Sequence, residues 1–351
     1  MIKKLLKLNI FVIIIILIFN GCNSNSITTN LNFEVEKPVK VGVLLYKADD
    51  EYISLISENL KEIEKGNQGK VEFIFFDAEN NQVKQNQQLR TALSQDIDLL
   101  LVNLVDVSEN STQTVINRIK EKNLPVIIFN REPISKNPIK SYNNAIVLST
   151  NSEEAGILQG GIIVDLWKEN RLLLDTNRDN ILQYVILTGN KDNIDAIART
   201  KYSIETIEKA GIKTQELALR IANWDSKLAQ EEVRQLFYQY GNRIEAIISN
   251  NDAMAEGAIQ ALQEFGYNKG DNRRTITVVG VDGTPEAQKL IKQGYMAGTV
   301  IQDPKAEAQA LYTLGMNMVE DKSPIEGTDY KFDESGVAVR LSFEEYIQNQ
   351  Q

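Results

Sequence analysis

The sequence predicts an α/β fold with two doubly wound parallel-sheet domains, and three observations support this prediction. Short runs of Val, Ile and Leu recur along the chain, as expected for strands that helices cover on both faces. Stretches with apolar residues at helical spacing separate these runs, which is the rhythm of parallel sheets with crossover helices. At 351 residues, the chain exceeds what one hydrophobic core usually organises.

Residues 1–21 are typical of an export signal. Three lysines within the first seven residues precede Ile10–Phe19, an unbroken apolar run of ten residues. This run is too short to span a bilayer comfortably and suits the hydrophobic region of a signal peptide. Cys22 follows, and the arrangement resembles a bacterial lipoprotein signal, which predicts a lipidated Cys22; ordinary signal-peptidase cleavage nearby is the alternative. The polar stretch 22–37 is predicted to be a tether.

Ten strands are predicted in two series of five, the second of which begins after Asn151. The first series is Val41–Tyr46, Val71–Phe76, Ile97–Val102, Val126–Asn130 and Ala145–Ser149. The second is Tyr184–Thr188, Glu216–Leu219, Ile244–Ser249, Ile276–Val281 and Gly298–Ile301. After Ile244–Ser249, Asp252 is the predicted N-cap of a helix with apolar residues on one stripe.

Composition limits the possible chemistry. The formal net charge of −10 argues against nucleic acid as a partner, because such binding needs clustered Lys and Arg. The absence of histidine removes the commonest general base and the usual zinc ligand. The single cysteine excludes disulfides within the chain. An enzyme that works through carboxylates remains open.

One loop has the first half of an EF-hand calcium site. Oxygen-bearing groups stand at alternate positions, namely Asp175, Asn177, Asp179, the carbonyl of Ile181, and Gln183. The glutamate expected at the twelfth position is missing, because that position is Ile186. A free-standing EF-hand is therefore excluded. A calcium site completed by a remote glutamate and a plain surface turn both remain open.

Polar residues follow several predicted strands, where ligands bind in open parallel sheets. They are Asp49, Asp50, Asn130, Arg131, Asn251 and Asp282. Asp195 and Arg199, four residues apart, and the aromatic residues Tyr52 and Trp224 join them. Carboxylates, amides and a guanidinium suit sugar hydroxyls, which both donate and accept, while aromatic planes suit the C–H faces of a sugar ring. Each residue singly is also explained as a helix cap, a turn former or a packing residue.

The order of these motifs resembles that of the bacterial D-galactose/D-glucose-binding proteins of ABC importers, which belong to the type I periplasmic binding proteins. The motifs are Val41–Asp50, Phe129–Pro133, Asp195–Arg199, Ser249–Ala255 and Gly280–Ala287, and the similarity covers nearly all of residues 39–345. The resemblance implies two lobes joined by a three-segment hinge. The expected first lobe is 38–149 with 302–336, and the expected second lobe is 150–301 with 337–351.

The resemblance also implies the residues of both sites. Sugar-binding positions are Asp50, Tyr52, Asn130, Asn193, Asp195, Arg199, Trp224, Asn251, Asp282 and Gln302. Calcium positions are Asp175, Asn177, Asp179, Ile181, Gln183 and the remote Glu245. Asn193 stands where the family has a histidine, and Gln302 where it has an asparagine. These two departures bear on which sugar fits.

The function expected on this basis is capture of D-galactose or D-glucose outside the cell by hinge closure, and delivery to an ABC permease with its ATPase. The protein would be a monomer, held at the membrane only by its lipid, with structural calcium and no catalysis. A chemoreceptor is left open as a further partner. Three alternatives stand beside it: another hexose or a pentose as ligand, a sugar enzyme with Asp50 and Asp282 as acid and base, and a regulator of the lac-repressor type. The regulator would need an N-terminal DNA-binding motif where this chain has a signal and tether.

Overall fold

Runs of branched apolar residues form the strands of a computed structural model that describes residues 37–348. The strands are β1 (Val39–Leu45), β2 (Val71–Asp77), β3 (Leu99–Val102), β4 (Val126–Phe129), β5 (Ala145–Thr150), β6 (Ile181–Thr188), β7 (Lys213–Ile221), β8 (Ala246–Ser249), β9 (Thr277–Asp282), β10 (Gly298–Ile301), β11 (Ala338–Leu341) and β12 (Glu344–Ile347). The ten predicted strands are all present, while β11 and β12 were not predicted.

Helices cover the strands in the expected alternation. They are α1 (Glu51–Gly66), α2 (Gln82–Leu93), α3 (Glu109–Lys120), α4 (Asn137–Lys140), α5 (Ser152–Leu174), α6 (Ile194–Lys209), α7 (Ser226–Tyr240), α8 (Asp252–Glu264), α9 (Pro285–Lys292) and α10 (Pro304–Val319). Most begin at a side-chain cap, as the sequence indicates for Asp and Asn after strands.

Two six-stranded sheets organise the molecule, which confirms the predicted fold class. The first sheet has the order β11-β5-β4-β3-β1-β2, and the second has the order β12-β10-β9-β8-β6-β7. All pairs are parallel except β10 with β12. We call the first sheet with its helices the first lobe and the second sheet with its helices the second lobe. Each sheet lies between two apolar clusters, as strands with all residues buried require.

The chain passes between the lobes three times: after β5, after β10, and between β11 and β12. The last crossing differs from the expected boundary at 336/337. Strand β11 pairs with β5 in the first sheet, with Ala338 opposite Val147. Ala338 and Val339 are fully buried there, because this short apolar run completes the edge of the first core. Residues 338–341 therefore belong to the first lobe, and the second lobe regains the chain only at β12.

The start of α8 also differs from the prediction. Asn251, not Asp252, is the N-cap, since its side chain accepts a hydrogen bond from the backbone N of Met254 at 3.0 Å. Asp252 turns inward instead. Its carboxylate accepts hydrogen bonds from the Thr299 hydroxyl at 2.6 Å and from the backbone N of Thr284 at 2.8 Å. A buried carboxylate needs such partners, and here they join α8 to β10 and to the start of α9.

Close contact between α7 and α8 gives a stability prediction. A Cβ at Gly257 would lie 1.9 Å from the carbonyl oxygen of Ser226, which is backbone and cannot rotate away. We expect Gly257→Ala to lower the free energy of unfolding by about 1–3 kcal/mol, because the two helices must separate. Denaturant unfolding of the mature protein measures this. Gly66→Ala is the matched control, since nothing lies within 4 Å of a Cβ there, and it should be neutral or slightly stabilising. Equal stability of both variants would contradict the assigned packing.

Candidate functional site

A cavity lies between the lobes, at the carboxyl ends of the strands. Its lining residues are Tyr46, Asp50, Tyr52, Asn130, Arg131, Thr150, Asn193, Asp195, Arg199, Trp224, Asn251, Asp282 and Gln302. The structure thus brings together the ten residues that the sequence predicts for a sugar site. Three further residues line the cavity. Arg131 was identified by its position after a strand but was not among the ten, whereas Tyr46 and Thr150 were not predicted. Tyr46 directly follows β1 and Thr150 ends β5, so the same strand-end rule could have found both.

Three of the lining residues are helix N-caps. The side chains of Asp50, Asn193 and Asn251 accept hydrogen bonds from backbone N–H groups three residues later, at 3.0, 2.9 and 3.0 Å. The helix-cap explanation of these residues is therefore correct, and it does not compete with a binding role. An amide or carboxylate that caps with one atom keeps its other polar atom for a second partner. Capping also fixes the side chain, so it meets a ligand with little loss of entropy.

Unusual backbone conformations occur at three lining positions. Asn130, Trp224 and Asp282 have φ values of 57°, 66° and 127°. Such values are rare for residues with a side chain, and strain of this kind gathers at binding sites. Trp224 lies against Gly189, where a Cβ would be only 2.1 Å from the indole ring. Its Nε1 donates to Asn190 Oδ1 at 2.9 Å, which fixes the plane of the ring at the cavity wall.

The guanidinium of Arg199, on α6 of the second lobe, is part of the cavity lining. It donates to the carbonyl oxygen of Asn250 at 2.8 Å and to Gln302 Oε1 at 3.1 Å. The nearest oxygen of Asp282 is 3.7 Å from Nη1. Burial raises the pKa of Asp282 well above its ordinary value, and the charge of Arg199 opposes that shift. The Nε of Arg199 is buried and has no hydrogen-bond partner within residues 37–348.

The first-lobe side of the cavity holds a second arginine. Arg131 donates to the carbonyl oxygens of Leu104 at 2.6 Å and Val105 at 3.1 Å. Its guanidinium carbon lies 4.4 Å from the centre of the Tyr46 ring, which is cation–π distance. The Tyr46 hydroxyl in turn donates to Asp50. Burial lowers the pKa of Arg131, but an arginine keeps its charge at neutral pH.

Asp195 lies on α6 at the boundary of the cavity. Its Oδ1 accepts a hydrogen bond from the Ser152 hydroxyl at 2.5 Å. Burial raises the pKa of Asp195, while the nearby Arg199 lowers it. The cavity as a whole offers carboxylate acceptors, amides that both donate and accept, two guanidinium donors and aromatic faces. This set of groups can hold a small, neutral, polyhydroxylated molecule without forming a covalent bond.

The loop predicted to bind calcium forms a second cluster, at the other end of β8. Asn177 Nδ2 donates to Asp179 Oδ2 at 3.1 Å and to Gln183 Oε1 at 3.0 Å. Gln183 Nε2 also donates to Asp179 Oδ2, at 2.8 Å. These three side chains therefore lie within hydrogen-bond distance of one another. Asp179 Oδ1 accepts from the backbone N of Ile181 at 2.8 Å, so Ile181 follows in the same turn.

Glu245 reaches this loop from outside it, as the resemblance implied. Its Oε1 accepts from the backbone N of Thr176 at 2.7 Å, and its Oε2 accepts from the backbone N of Gln183 at 3.0 Å. Asp175 is fully buried, and its Oδ1 has no hydrogen-bond partner in the described part of the chain. Its other oxygen lies 3.5 Å from the Nε of Arg171. An unpartnered buried carboxylate oxygen is the type of atom that a bound cation would satisfy.

Residues 37–348 contain no group of three or more His, Cys, Asp or Glu side chains that could hold a metal by themselves. A calcium ion here would depend on the amide and carbonyl oxygens of Asn177, Gln183 and Ile181 besides the carboxylates. Calcium accepts such neutral oxygens readily. The residues present therefore fit calcium, provided that the amides of Asn177 and Gln183 rotate their oxygens toward the ion.

Cys22, the predicted lipidation site, lies outside the described residues. No helix within residues 37–348 is long and apolar enough to cross a membrane.

Comparisons with known proteins agree with the fold. Residues 41–323 match the family described as "Periplasmic binding protein domain". The chain is 37% identical over 303 residues to the D-galactose/methyl-galactoside binding periplasmic protein MglB of Haemophilus influenzae, which covers 86% of this chain and 87% of that protein.

Solved structures share the architecture at lower identity. An ABC transporter solute binding protein from Bacillus halodurans with bound myo-inositol has a TM-score of 0.70 and 24% identity, and covers 89% of this chain and 95% of that chain. One from Actinobacillus succinogenes with bound D-allose has a TM-score of 0.73 and 17% identity, and covers 90% of this chain and 99% of that chain. Because of its family match and the 37% identity over most of its length, the chain belongs to the periplasmic binding protein family and has the type I fold.

Proposed function

We propose that this chain is the substrate-binding component of an ABC sugar importer, and that it captures D-galactose or D-glucose. The observation that carries the proposal is the cavity between the lobes. Its polar groups come from both sides, and a relative at 37% identity is named for binding D-galactose. The bound sugar contacts both lobes, so it stabilises the state in which they are together by its differential affinity. The permease and its ATPase then take the sugar.

The identity of the sugar depends on Asn193 and Gln302, which are both buried at the cavity. Gln302 already accepts from Arg199, and its amide N lies 3.2 Å from Glu307. Less of its hydrogen-bonding capacity is therefore left for a ligand. Another hexose, a pentose or a cyclic polyol is the second candidate ligand, favoured by the relatives that are solved with D-allose and myo-inositol.

The proposal includes the position of the protein in the cell. Export by the N-terminal signal and a lipid on Cys22 would keep the binding domain on the outer side of the cell membrane, joined by the tether 22–37. The permease partner is then within reach of a protein that cannot diffuse away.

Calcium is proposed as a structural ion. Asp175, Asn177, Asp179, Ile181, Gln183 and Glu245 would hold it. When bound, the ion supplies positive charge that neutralises the carboxylates and ties the loop to strand β8. The chain's own contribution is the placing of Glu245, whose carboxylate already accepts backbone N–H groups from both ends of the loop.

A carboxylate pair that spans the two lobes adds a pH effect to closure. Glu51 begins α1 of the first lobe, and Glu256 lies on α8 of the second lobe. The charge of Glu51 acts on Glu256, and Glu256 also accepts a hydrogen bond from the Thr284 hydroxyl at 3.1 Å. Burial, with the charges of Glu51 and Asp252, raises the pKa of Glu256 to about 8. Two ionised carboxylates repel each other, so bringing them together is favourable only while a proton neutralises one of them.

Sugar titration tests the function. We expect the mature wild-type protein to bind D-galactose or D-glucose, and Trp224→Ala to weaken binding by about 1–2 kcal/mol, because the ring loses its packing against the sugar face. Isothermal titration calorimetry measures both. Tyr238→Ala, which truncates an aromatic ring that is 76% exposed, is the control and should bind as the wild type does. A wild-type protein that binds no monosaccharide would refute the function, and unchanged affinity in Trp224→Ala would remove that residue from the site.

Chelation tests the ion. Because an ion that binds only the folded state stabilises it by mass action, calcium at 100 times its Kd should add about 2.7 kcal/mol. We expect EDTA to lower the Tm by several degrees, and added calcium to restore it. Glu245→Gln should reduce this response, whereas Asp271→Asn, an acid on an exposed loop, should keep it. A Tm that ignores both chelator and calcium would contradict the metal assignment.

A pH series tests the carboxylate pair. The pKa of Glu256 is raised in the state with the lobes together, so its stabilising contribution is present at low pH and is lost as the pH rises through about 8. We expect sugar affinity to fall as the pH rises from about 5 to 8 and to level off above pH 8, because the pKa of Glu256 is raised from 4.5 to about 8. Glu256→Gln should flatten this fall, since an amide carries no charge at any pH. Glu264→Gln, on the solvent face of the same helix, should leave the profile unchanged. Burial also raises the pKa of Asp252 to about 6 and of Glu307 to about 7. Because of these two groups, the sugar affinity of Glu256→Gln should still depend somewhat on pH below pH 7. Equal profiles for wild type and Glu256→Gln would refute this role.

A further inference from the structure

A buried carboxylate, Glu307, lies directly behind the cavity. Its Oε2 accepts a hydrogen bond from the Tyr52 hydroxyl at 2.8 Å and another from Gln302 Nε2 at 3.2 Å. Both donors line the cavity, while Glu307 is fully buried and does not line it. One carboxylate therefore joins an aromatic residue and an amide that face the same ligand space.

The contacts of Gln302 determine the orientation of its amide. Its Nε2 faces the carboxyl of Glu307, and its Oε1 accepts from Arg199 Nη2 at 3.1 Å. A flipped amide would place its oxygen against the carboxyl of Glu307 and its NH₂ against a guanidinium, and both contacts would be repulsive. Without Glu307, only the bond to Arg199 would hold this side chain. Glutamine has three rotatable side-chain bonds, so a single contact fixes it poorly.

The network also crosses the hinge. Tyr52 on α1 and Glu307 on α10 belong to the first lobe, and Arg199 on α6 belongs to the second. Gln302 lies between them, directly after β10, where the chain passes back to the first lobe. The hydrogen bonds from Tyr52 to Glu307, from Gln302 to Glu307 and from Arg199 to Gln302 thus form a continuous path between the lobes.

The stability of the fold does not explain why a carboxyl is kept at this position. Glu307 Oε1 is buried and has no hydrogen-bond partner within residues 37–348. Burial raises the pKa of Glu307 to about 7, although the hydrogen bonds from Tyr52 and Gln302 lower it. Apolar residues of similar size often replace buried ionisable groups without loss of stability. We therefore explain the buried carboxyl of Glu307 by the side chains that it positions and not by a contribution to the stability of the fold.

We propose that Glu307 is a positioning residue that determines which monosaccharide the cavity accepts, by fixing the ring of Tyr52 and the amide of Gln302. This inference rests on the proposed sugar-binding function. Hexoses that are epimers differ at one hydroxyl, so discrimination between them requires polar groups held in one orientation. An unanchored Gln302 could turn its donor or its acceptor toward either epimer.

The experiment uses four variants of the mature protein, titrated with D-galactose, D-glucose and D-allose. Glu307→Leu removes the acceptor, and we expect its affinity for the best ligand to be at least tenfold lower than that of the wild type. The ratio of its affinities for two epimers should also come at least threefold closer to one. Glu307→Gln keeps an oxygen acceptor at the same place and should stay within threefold of the wild type. Tyr52→Phe keeps the ring but frees it from Glu307, and should give an intermediate loss of affinity with a narrowed ratio. Gln309→Leu, at an exposed position of α10, is the control for changes to that helix and should bind as the wild type does.

The outcomes separate this inference from the function on which it rests. If the wild type binds none of the sugars, the proposed function fails. If the wild type binds and Glu307→Leu has the same affinity and the same epimer ratio, only the positioning role fails. If Glu307→Leu does not unfold cooperatively, Tyr52→Phe decides: an unchanged epimer ratio in that variant overturns the inference. The inference is also overturned if Glu307→Gln loses as much affinity as Glu307→Leu. The isosteric amide can still position Tyr52 and Gln302 by hydrogen bonds, so such a loss would mean that the site needs the charge instead.

Discussion

The hydrogen bonds of the buried Arg199 guanidinium constrain the positions of the surrounding polar groups more than any other contact in the cavity does. A charge without water must be surrounded by acceptors, and here they are the Asn250 carbonyl, the Gln302 amide oxygen and, more distantly, Asp282. These three groups follow or end β8, β10 and β9, so one side chain holds the carboxyl ends of three neighbouring strands in register. The same contacts leave its Nε without a hydrogen-bond partner among residues 37–348. The polar edge of the second sheet is thus organised around a donor that still has a hydrogen bond to give.

Parallel sheets explain why so much of the cavity could be predicted. Because every parallel strand of a lobe points its carboxyl end the same way, polar residues that are far apart in sequence meet at one edge once the strands are found. Asn130, Asn251 and Asp282 were identified by this rule, before any resemblance to a family. Asn193 and Gln302 needed the resemblance, since an amide in a loop carries no local signal of its own. Tyr46 and Thr150 also satisfy this rule. They were missed because an aromatic residue and a threonine at the end of a strand are explained equally well by packing.

Other features could not be read from sequence, because they depend on pairs of residues that are remote in the chain. Tyr52 and Glu307 are separated by 255 positions, and Glu307 appears in the sequence as an ordinary acid of an amphipathic helix. Glu51 and Glu256 belong to different lobes, so neither predicts the other. The position of β11 in the first sheet follows from the fit of Ala338 and Val339 into the apolar clusters on the two sides of that sheet, which a run of four residues does not reveal in the sequence. Asp252 was misassigned as a cap because Asn-Asn-Asp offers three residues that cap equally well, and only burial next to Thr299 decides among them.

Strand β8 links the cavity to the loop for which we propose calcium. Glu245 comes directly before this strand and Asn250 directly after it, so about 17 Å of extended chain separates the two sites. All four residues of β8 are buried, and the strand is paired on both sides, by β6 and β9. A strand held in this way moves as a rigid body, since its ladder hydrogen bonds would have to break before one end could shift alone. An ion at Glu245 would therefore act on the cavity only by fixing the position of the whole strand, and with it the carbonyl of Asn250 that Arg199 requires.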